Sequence, residues 1–454
     1  MVILGGGSGG YACALRAAQL DLRVVLIEKD KLGGTCLHRG CIPTKALLHA
    51  GEVADAARDS AEFGVDATLN GIDIAGVNSY KDGVVSKLYK GLQGLVKSRK
   101  ITLVTGEGRL ASATTVTVGD DTYTGRTVVL ATGSVPRSLP GLDIDGERVI
   151  TSDQAASLDR VPGSVVVLGG GVIGVEFASV WRSFGADVTI VEALPSLVPA
   201  EDAASSKLLE RAFRKRGIAF HTGVRFSGCK VIGDSSEGSV QVTLENGTQI
   251  DAELLLVAVG RGPVSADLGY EQVGVAMDRG YVTVDDHCRT SVGGVYAVGD
   301  LIPTLQLAHV GFAEGIMVAE QIAGHSPAPI DYAGVPRVAY CDPEVASVGL
   351  TGEQARERGH EVEELSYDLA GNGKSQILKT TGAVKLVRAK DGPVLGVHIV
   401  GARAGELIGE AQLIYNWEAF PAEVAQLIHA HPTQTEALGE AHLALAGKPL
   451  HAHG

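Results

Sequence analysis

The sequence predicts an α/β protein with two Rossmann-like domains followed by a C-terminal α+β domain. Three observations predict this arrangement: a glycine-rich strand–turn–helix pattern that occurs twice, apolar runs of strand length that end on glycine, and an alternating apolar pattern after about position 334. At 454 residues the chain is too long for a single hydrophobic core, and its length suggests about three domains.

The first element is a strand–turn–helix–strand unit that the chain contains twice. Val2–Gly10 reads Val-Ile-Leu-Gly-Gly-Gly-Ser-Gly-Gly, and Val166–Gly174 repeats it as Val-Val-Leu-Gly-Gly-Gly-Val-Ile-Gly. A helical pattern and a second apolar strand follow each copy. The second strands are Arg23–Ile27 and Asp187–Val191. Each is followed by a glutamate, Glu28 or Glu192, at the same offset of 23 from the first glycine (5 to 28 and 169 to 192).

Both copies contain the pattern Gly-x-Gly-x-x-Gly at the first turn. Its glycines are Gly5, Gly7 and Gly10 in the first copy, and Gly169, Gly171 and Gly174 in the second. The first glycine makes the tight turn, the second lets a pyrophosphate approach a helix N-terminus, and the third lets the helix pack closely on the strand. The glutamate is placed to bind a ribose. One copy alone could be an ordinary glycine turn, but two copies in register indicate two dinucleotide sites.

The remaining strands complete this architecture. Three further apolar runs read as buried strands that end on glycine or an acid: Thr127–Gly133, Glu253–Gly260 and Val295–Asp300. Later runs alternate apolar and polar residues, and the chain then becomes helical to its end. These later runs are Val335–Tyr340, Gly382–Arg388 and Val394–Val400. The alternation predicts an antiparallel sheet with helices, which makes a separate α+β domain.

Composition excludes several classes of partner. The formal net charge is −14, whereas nucleic acid and anionic membranes attract concentrated Lys and Arg. The longest apolar run, Leu254–Gly260, is far shorter than the roughly 18 residues that span a bilayer. The N-terminus has neither the basic region nor the cleavage site of a secretory signal. We therefore expect a cytoplasmic protein that binds neither nucleic acid nor a membrane.

Two of the six cysteines form a close pair, Cys36 and Cys41. The other four are interpreted as core or surface thiols: Cys13, Cys229, Cys288 and Cys341. In a regular helix, residues five apart have Cα atoms about 8–9 Å apart, which is too far for a disulfide. A bridge would need a distorted backbone, which Gly40 and Pro43 could permit. Half of a zinc site, two unrelated thiols and a redox disulfide are all possible, and the neighbouring dinucleotide fold favours the redox disulfide.

Metal binding is not expected. No second cysteine pair completes a Cys₄ zinc site, and His451 and His453 are interpreted as a solvated tail.

The segment Gly33–Lys45 resembles the redox signature of the pyridine nucleotide–disulfide oxidoreductases, Gly-Gly-Thr-Cys-x4-Cys-x-Pro-x-Lys. The resemblance extends over essentially the whole chain. It implies FAD on the first fold, a nicotinamide nucleotide on the second, and a C-terminal dimerisation domain. The implied domains are 1–142 completed by 266–334 for FAD, 143–265 for NAD, and 335–454 for dimerisation.

The resemblance also assigns roles to residues. Cys36 would exchange with substrate, and Cys41 would lie against the flavin. Lys45 and Glu176 would pair near the reactive nitrogen of the flavin, although local sequence alone favours a solvated pair. The implied FAD contacts are Gly5, Gly7, Gly10, Glu28, Gly34, Thr35, Lys45, Gly108, Thr132, Gly133, Ser134, Asp300, Gln306, Leu307, Ala308 and His309. The implied NAD contacts are Gly169, Gly171, Gly174, Glu176, Glu192, Val224 and Gly260.

The tail contains His431-Pro432-Thr433, followed by Glu436. Local physics reads Thr433-x-x-Glu436 as a capping box that opens a helix, which Gly447 could close. The resemblance instead implies that His431 is a catalytic base oriented by Glu436, with a cis bond before Pro432. Because the family dimerises through this domain, it also implies active sites shared between two subunits.

Within the family, the pattern most resembles the dihydrolipoamide dehydrogenases. The carboxylate of Glu192 would repel the 2′-phosphate of NADP, and no cysteine follows Cys341 to form a second redox pair. The implied reaction is NAD⁺-dependent oxidation of dihydrolipoyl groups. The implied partners are a second copy of the chain and lipoyl-bearing proteins of 2-oxo acid dehydrogenase or glycine cleavage complexes. Alternatives are an NADH-dependent diaphorase or quinone reductase, another disulfide reductase of the family, and a non-enzymatic partner-binding subunit that keeps FAD only as structure.

One segment fits the family poorly. Gly371–Ser375 lies in the expected dimerisation domain, so we expect the departure to affect surface contacts rather than chemistry.

Overall fold

The computed structural model describes residues 1–233 and 238–451. Within them, no helix is long and apolar enough to cross a membrane. The chain divides into two compact units. Unit 1 comprises 1–47, 73–137 and 260–332, and unit 2 comprises the described parts of 48–72, 138–259 and 333–454.

Unit 1 is built on a five-stranded parallel sheet. Its strands are, in spatial order, Val295–Ala297, Val128–Leu130, Val2–Leu4, Val25–Glu28 and Thr102–Thr105. The first strand of the chain lies at the centre, and the helix Ser8–Gln19 follows it directly. This helix packs on Ala308–Ile322 so closely that a Cβ on Gly315 would overlap the backbone of Gly9. The glycine repeat therefore opens a Rossmann-like sheet, as predicted.

Smaller elements complete unit 1. Antiparallel pairing joins Gly108–Ser112, Thr115–Val118 and Asp121–Thr124, and also pairs Ser134–Pro136 with Arg261–Pro263 and Met277–Asp278 with Tyr281–Val282. The helical segments are Gly34–His38, Ile74–Ser98, Tyr270–Val273 and the 3₁₀ turn Gly299–Leu301, and the helix Cys41–Arg58 begins in this unit. The strand expected over Val295–Asp300 is shorter than predicted, because Asp300 lies in the 3₁₀ turn that follows it.

Unit 2 contains the second parallel sheet. Its strands are, in spatial order, Ala219–Thr222, Asp187–Glu192, Ser164–Leu168, Leu254–Val257 and Val149–Thr151. The associated helices are Ser152–Ala155, Val172–Phe184 and Ala203–Arg216. An antiparallel sheet of Phe226–Ile232, Ser239–Leu244 and Gln249–Ala252 accompanies them. Ser164–Leu168 is almost wholly buried and pairs in parallel on both sides, so the second glycine repeat also opens a sheet of the predicted kind.

The C-terminal part of unit 2 is α+β, as predicted. Its antiparallel sheet runs in the order Arg337–Ala339, Glu344–Gly349, Val394–Gly401, Ala383–Ala389 and Val362–Asp368. The helices are Gly352–Glu357, Gly373–Ile377, Ala404–Asn416, Pro421–Val424 and Glu436–Leu445. The 3₁₀ turns elsewhere in the chain are Ser60–Phe63, Tyr332–Gly334 and Leu369–Gly371. One apolar core lies between this sheet and the helices Ala404–Asn416 and Glu436–Leu445.

Candidate active site

The two glycine turns have the same geometry. Gly5 and Gly169 have φ of 106° and 112°, a region that favours glycine, and a Cβ on either would overlap the carbonyl at the end of a neighbouring strand. A Cβ on Gly10 or Gly174 would overlap the carbonyl of that first glycine. The first and third glycines are therefore required by the fold itself.

The middle glycines differ, because they face open space. A Cβ on Gly171 would meet nothing within 4 Å, and one on Gly7 would meet only the Cα of Gly34, at 3.9 Å. Both residues are the N-caps of their helices, and neither helix has a side-chain cap. Gly34 has φ of 60°, and its backbone lies over Gly7. Each turn thus leaves room for an anion at uncapped helical N–H groups.

Glu28 and Glu192 brace these turns. One oxygen of each carboxylate accepts the N–H of Gly6 or Gly170, at 2.7 Å in both copies. The other oxygen accepts the N–H of the residue two positions after the glutamate, Asp30 or Leu194, at 2.8 Å in both copies. Every carboxylate oxygen can accept a second bond. The binding of a ribose by these residues stays a prediction, with both carboxylates already oriented for it.

Cys36 and Cys41 form a disulfide, with Cα atoms 4.6 Å apart. The short helix Gly34–His38 ends between them, and a new helix begins at Cys41. The N–H of Gly40 turns back to the carbonyl of Thr35, at 2.8 Å. Pro43 lies in the first turn of the new helix, where no intrahelical donor is needed. The predicted distortion of the backbone is confirmed. Because the two sulfurs are bonded to each other, the pair is neither two separate thiols nor half of a zinc site.

A polar cluster surrounds Asp300 in unit 1. Ser134 donates its hydroxyl to Asp300, and Arg261 donates to the hydroxyl and the carbonyl of Ser134, at 2.7 Å each. Arg261 also lies 3.9 Å from Asp300 and 3.5 Å from the hydroxyl of Thr35. Sequence reasoning missed Arg261, and its place directly after Gly260 was the available signal. Three predicted FAD contacts thus share one network.

The other predicted FAD contacts in unit 1 have mixed environments. The hydroxyl of Thr132 donates to the carbonyl of Val264, at 2.5 Å. A Cβ on Gly108 would press on Leu4, at 2.5 Å, so this glycine allows close packing under the sheet. The side-chain nitrogen of Gln306 is buried and has no hydrogen-bond partner among residues 1–233 and 238–451. An orphaned buried donor is costly, and a bound ligand would satisfy it.

The sequence after Gln306 supplies another helix N-terminus. Leu307 is the N-cap of Ala308–Ile322 and makes no side-chain cap bond. His309 in the first turn is exposed. Glu314, missed by sequence reasoning, is fully buried and accepts the N–H of Gly299 at 2.6 Å, which fixes the turn carrying Asp300.

Glu176 is buried in unit 2, and one of its oxygens accepts the N–H of Tyr340, at 2.9 Å. Lys45, in unit 1, is half-buried. The solvated pair that local sequence favoured is therefore wrong, while pairing of these two residues near a flavin stays a prediction. Val224 is half-buried and donates its N–H to the carbonyl of Glu192, at 3.3 Å. Gly260 has φ of 109° and open space where a Cβ would be.

His431 and Glu436 meet in the tail. The ring Nδ1 of His431 lies 2.8 Å from one oxygen of Glu436, and the N–H of Thr433 donates to the other at 2.7 Å. Burial opposes ionisation of Glu436, but the bonds from Thr433 and His431 outweigh it and lower the pKa of this carboxyl. A carboxylate at Nδ1 favours the tautomer that carries its proton on Nδ1, and a catalytic role for Nε2 stays a prediction.

Only half of the predicted capping box forms. The hydroxyl of Thr433 donates to the carbonyl of Ala430 at 2.6 Å and does not cap the helix, which begins later, at Glu436. Gly447 has φ of 76° and donates to the carbonyl of Ala444, so its predicted closing role is confirmed. The His431–Pro432 bond is cis, as the resemblance implied.

Two family models match the chain. The model for pyridine nucleotide-disulphide oxidoreductases matches residues 1–315, and the model for their dimerisation domain matches residues 335–442. The chain belongs to the pyridine nucleotide-disulphide oxidoreductases. The resemblance inferred from the redox signature and the predicted fold class are thereby confirmed.

Relatives of this oxidoreductase match it over nearly its whole length. A dihydrolipoyl dehydrogenase of Bacillus subtilis is 41% identical over 99% of this chain and 98% of its own. The mitochondrial dihydrolipoyl dehydrogenase of Pisum sativum is 39% identical over 99% of this chain and 92% of its own. The crystal structure of LpdA from Mycobacterium tuberculosis is 28% identical, with a TM-score of 0.91 over 98% of this chain and 99% of that one.

The oxidoreductase has four thiols besides the disulfide pair. Cys13, Cys288 and Cys341 are buried, and Cys229 is half-buried. Burial raises the pKa of all four thiols, that of Cys13 to about 12. A thiol with a raised pKa is a poor nucleophile, which agrees with their interpretation as core or surface thiols. No group of three possible metal ligands occurs in the part of the chain that the structure describes.

Proposed function

We propose that this oxidoreductase oxidises protein-bound dihydrolipoyl groups to lipoyl and reduces NAD⁺ to NADH. The observation that carries the proposal is the Cys36–Cys41 disulfide directly after the first dinucleotide fold. The bridge closes a small loop at half-buried residues, so it stabilises the fold little and is open to exchange. Relatives named dihydrolipoyl dehydrogenase support the choice of substrate.

The residues of unit 1 fit FAD. The open turn at Gly7 and Gly34 suits a pyrophosphate, Glu28 suits the adenosine ribose, and Asp300 suits the ribitol region. The orphaned amide of Gln306 offers a further donor. FAD held by these residues would supply the chemistry that carries an electron pair from the reduced cysteines to NAD⁺. Lys45 and Glu176 remain proposed neighbours of its reactive nitrogen.

The residues of this chain carry the dithiol half of the reaction. Nε2 of His431 takes the proton of one substrate thiol, because Glu436 holds the other ring nitrogen protonated. The thiolate attacks Cys36, a mixed disulfide forms, and Cys41 leaves as a thiolate. His431 releases the first proton to solvent and takes that of the second substrate thiol, whose thiolate then attacks the substrate sulfur of the mixed disulfide. Oxidised lipoyl is released with Cys36 as the leaving thiolate, so the enzyme holds the two electrons that the substrate has lost.

The second unit is proposed to bind NAD. The open turn at Gly171 would receive its pyrophosphate, and Glu192 would bind its ribose. Val224 and Gly260 are proposed to line the same cleft.

The matched dimerisation domain supports a homodimer. Several large apolar side chains in the part of the chain that precedes His431 are exposed: Leu413, Trp417, Phe420, Leu427 and Ile428. In the single chain Trp417 is 75% exposed and Ile428 is 100% exposed, as we would expect of residues that a second subunit covers. We also propose that the substrate lipoyl groups are carried by proteins of 2-oxo acid dehydrogenase or glycine cleavage complexes. The proposed location of the enzyme is the cytoplasm.

An anaerobic absorbance titration tests the proposal. Dihydrolipoamide should change the flavin spectrum of the purified protein at about one equivalent per subunit, and NAD⁺ should restore it with formation of NADH. Cys36→Ser should abolish both lipoamide turnover and the response to the dithiol.

The rival functions predict other outcomes. A diaphorase or quinone reductase would keep its turnover in Cys36→Ser, because its cysteines are incidental. Another disulfide reductase of the family would require Cys36 but would leave dihydrolipoamide unreacted. Either result would overturn the dihydrolipoyl assignment.

A further inference from the structure

The segment that carries His431 has no regular secondary structure. It runs from 425 to 435, between the helices Pro421–Val424 and Glu436–Leu445. The side chain of His431 is 77% exposed in the single chain, so packing within its own chain does not fix it. A general base loses much of its effect when it is misplaced by as little as 1 Å. Something else must therefore hold the segment.

The first anchor lies two residues after His431. The carbonyl of Thr433 accepts a bond from the side-chain amide of Asn372, at 3.0 Å. Asn372 is buried, and its own oxygen accepts the N–H and the hydroxyl of Ser375, at 2.9 Å each. These bonds fix the orientation of the amide, so its donor is directed at the His431 segment. Asn372 lies in Gly371–Ser375, and our expectation that this stretch affects only surface contacts is wrong for it.

The second anchor lies two residues before His431. Nε2 of His429 lies 2.7 Å from a carboxylate oxygen of Glu410, which belongs to the helix Ala404–Asn416. The side chain of His429 is only 12% exposed. Its ring rests on the helix Glu436–Leu445 at Gly439, where a Cβ would come within 2.6 Å of Nδ1. The ring is therefore held by its bond to Glu410 on one side and by its contact with Gly439 on the other.

The charges around His429 favour its protonated form. The bond to Glu410 raises the pKa of His429, and the charges of Glu410 and Glu436 act in the same direction against burial. The charge of His429 in turn helps to lower the pKa of Glu436. The nearby His442 stays neutral, because burial lowers its pKa to about 4. When protonated, His429 thus faces two carboxylates, Glu410 and Glu436, and Glu436 also bonds His431.

We propose that Asn372 and the Glu410–His429 pair are positioning residues that hold the His431 segment from both sides and set the geometry of its imidazole. This inference rests on the proposed function, since it assigns the pair to the dithiol half-reaction. The turn that joins the two anchors is closed by Thr433, whose hydroxyl donates to Ala430 and whose N–H donates to Glu436. Folding, and not the substrate, would then place the base.

Two rapid-mixing measurements on the FAD-loaded enzyme separate positioning from general damage. Reduction by dihydrolipoamide needs His431, whereas reduction by NADH enters through the flavin. We expect Asn372→Asp, Glu410→Gln and His429→Gln to slow the first reaction by roughly tenfold to a hundredfold. We expect their NADH reaction and their KM for dihydrolipoamide to change little. Asn372→Asp keeps an acceptor for Ser375 and replaces the donor for Thr433 with a carboxylate oxygen.

A matched control comes from the helix Glu436–Leu445. Glu440 of this helix pairs with His451, which lies beyond the end of the helix, with Nδ1 2.9 Å from the carboxylate. This pair is not one of the two proposed anchors. His451→Gln should therefore leave both reactions unchanged. Gly439→Ala gives a second route to the same question, because alanine favours the helix while its Cβ displaces the ring of His429. It should slow the dithiol reaction without loss of thermal stability.

The pH profile gives an independent signature. A thiol ionises without help once the pH exceeds its own pKa, which is about 8.5 for a free cysteine, and a substrate thiol above its pKa needs no base. The deficit of the anchor variants should therefore shrink as the pH rises from 7 to about 10.

Four outcomes decide the matter. A selective, pH-dependent loss in the anchor variants supports the proposal. Variants that match His451→Gln in both reactions overturn it, and so does an equal loss in both reactions, which would indicate general damage. If His431→Gln itself oxidises dihydrolipoamide normally, the proposed role of His431 fails instead, and the anchors lose their purpose with it.

Discussion

At the scale of single residues, Glu192 illustrates how one carboxylate can serve two tasks. It is buried, and its oxygens brace the second glycine turn through the N–H groups of Gly170 and Leu194. Its remaining acceptor positions suit ribose hydroxyls, whereas a 2′-phosphate would meet a negative charge held in place by the backbone. The orientation of this carboxylate does not depend on the nucleotide.

We therefore expect the enzyme to prefer NAD⁺ to NADP⁺ in kcat/KM. Glu192→Ala should lower kcat/KM for NAD⁺ by roughly tenfold to a hundredfold, the range for hydrogen bonds to a charged group. It should also reduce the preference for NAD⁺ over NADP⁺. Steady-state kinetics with both nucleotides checks this. Glu192→Gln is the matched variant, since it keeps one acceptor and removes the charge. A preference of the wild-type enzyme for NADP⁺ would contradict the assignment of Glu192 to an NAD site.

At the scale of elements, the two βαβ units offer an internal comparison. Their turns share the positive φ of the first glycine, the close approach of the third, and the open space at the second. The open position is the only one of the three that the fold does not itself require. A methyl group there would leave the fold intact and occupy the volume meant for a pyrophosphate.

This comparison predicts different losses from the same substitution. Gly7→Ala should fold but bind FAD at least about tenfold more weakly, because its Cβ occupies the open space at the first glycine turn. Gly171→Ala should retain FAD and lose NADH-dependent reduction. Flavin content after dialysis and NADH titration measure the two effects. If Gly171→Ala releases FAD while Gly7→Ala retains it, the assignment of the two folds is reversed.

At the scale of the whole molecule, the redox disulfide and the base belong to different compact units. Cys36 lies in unit 1, and His431 lies in unit 2, within the part matched by the dimerisation domain. A symmetric dimer makes its interface from the same patch on both chains. Each active site is therefore proposed to take its cysteines from one subunit and its histidine from the other.

Complementation tests this shared site. Cys36→Ser and His431→Gln should each give nearly inactive homodimers. After the two are unfolded and refolded together, one site of a mixed dimer carries both lesions and the other carries neither. Random mixing makes half of the dimers mixed, so activity should recover to roughly a quarter of the wild-type value.

The control is a demonstration that the subunits have exchanged, for example with two different affinity tags. If mixed dimers are present and activity does not recover, Cys36 and His431 serve the same site within one chain.

Features set by local chemistry could be predicted from the sequence by itself. The two glycine turns, the glutamates that follow them and the interrupted helix between Cys36 and Cys41 depend on neighbouring residues, so residue type and spacing determine them. Turn geometry tolerates only glycine at Gly5 and Gly169, and a five-residue spacing cannot be bridged in a regular helix. The family resemblance rested on these same residues.

Only the tertiary structure decided which distant residues act together. Asn372 reaches Thr433 across 61 positions, and Arg261 reaches Ser134 across 127, so neither contact leaves a local pattern. The capping box formed only in part, because the N–H of Thr433 donates to Glu436 while the hydroxyl of Thr433 donates to Ala430. Its hydroxyl and carboxylate had other acceptors and donors within reach, and the fold paired Glu436 with His431. Sequence spacing determines which bonds are locally possible, while packing selects among them, because each donor and acceptor can satisfy only a few partners.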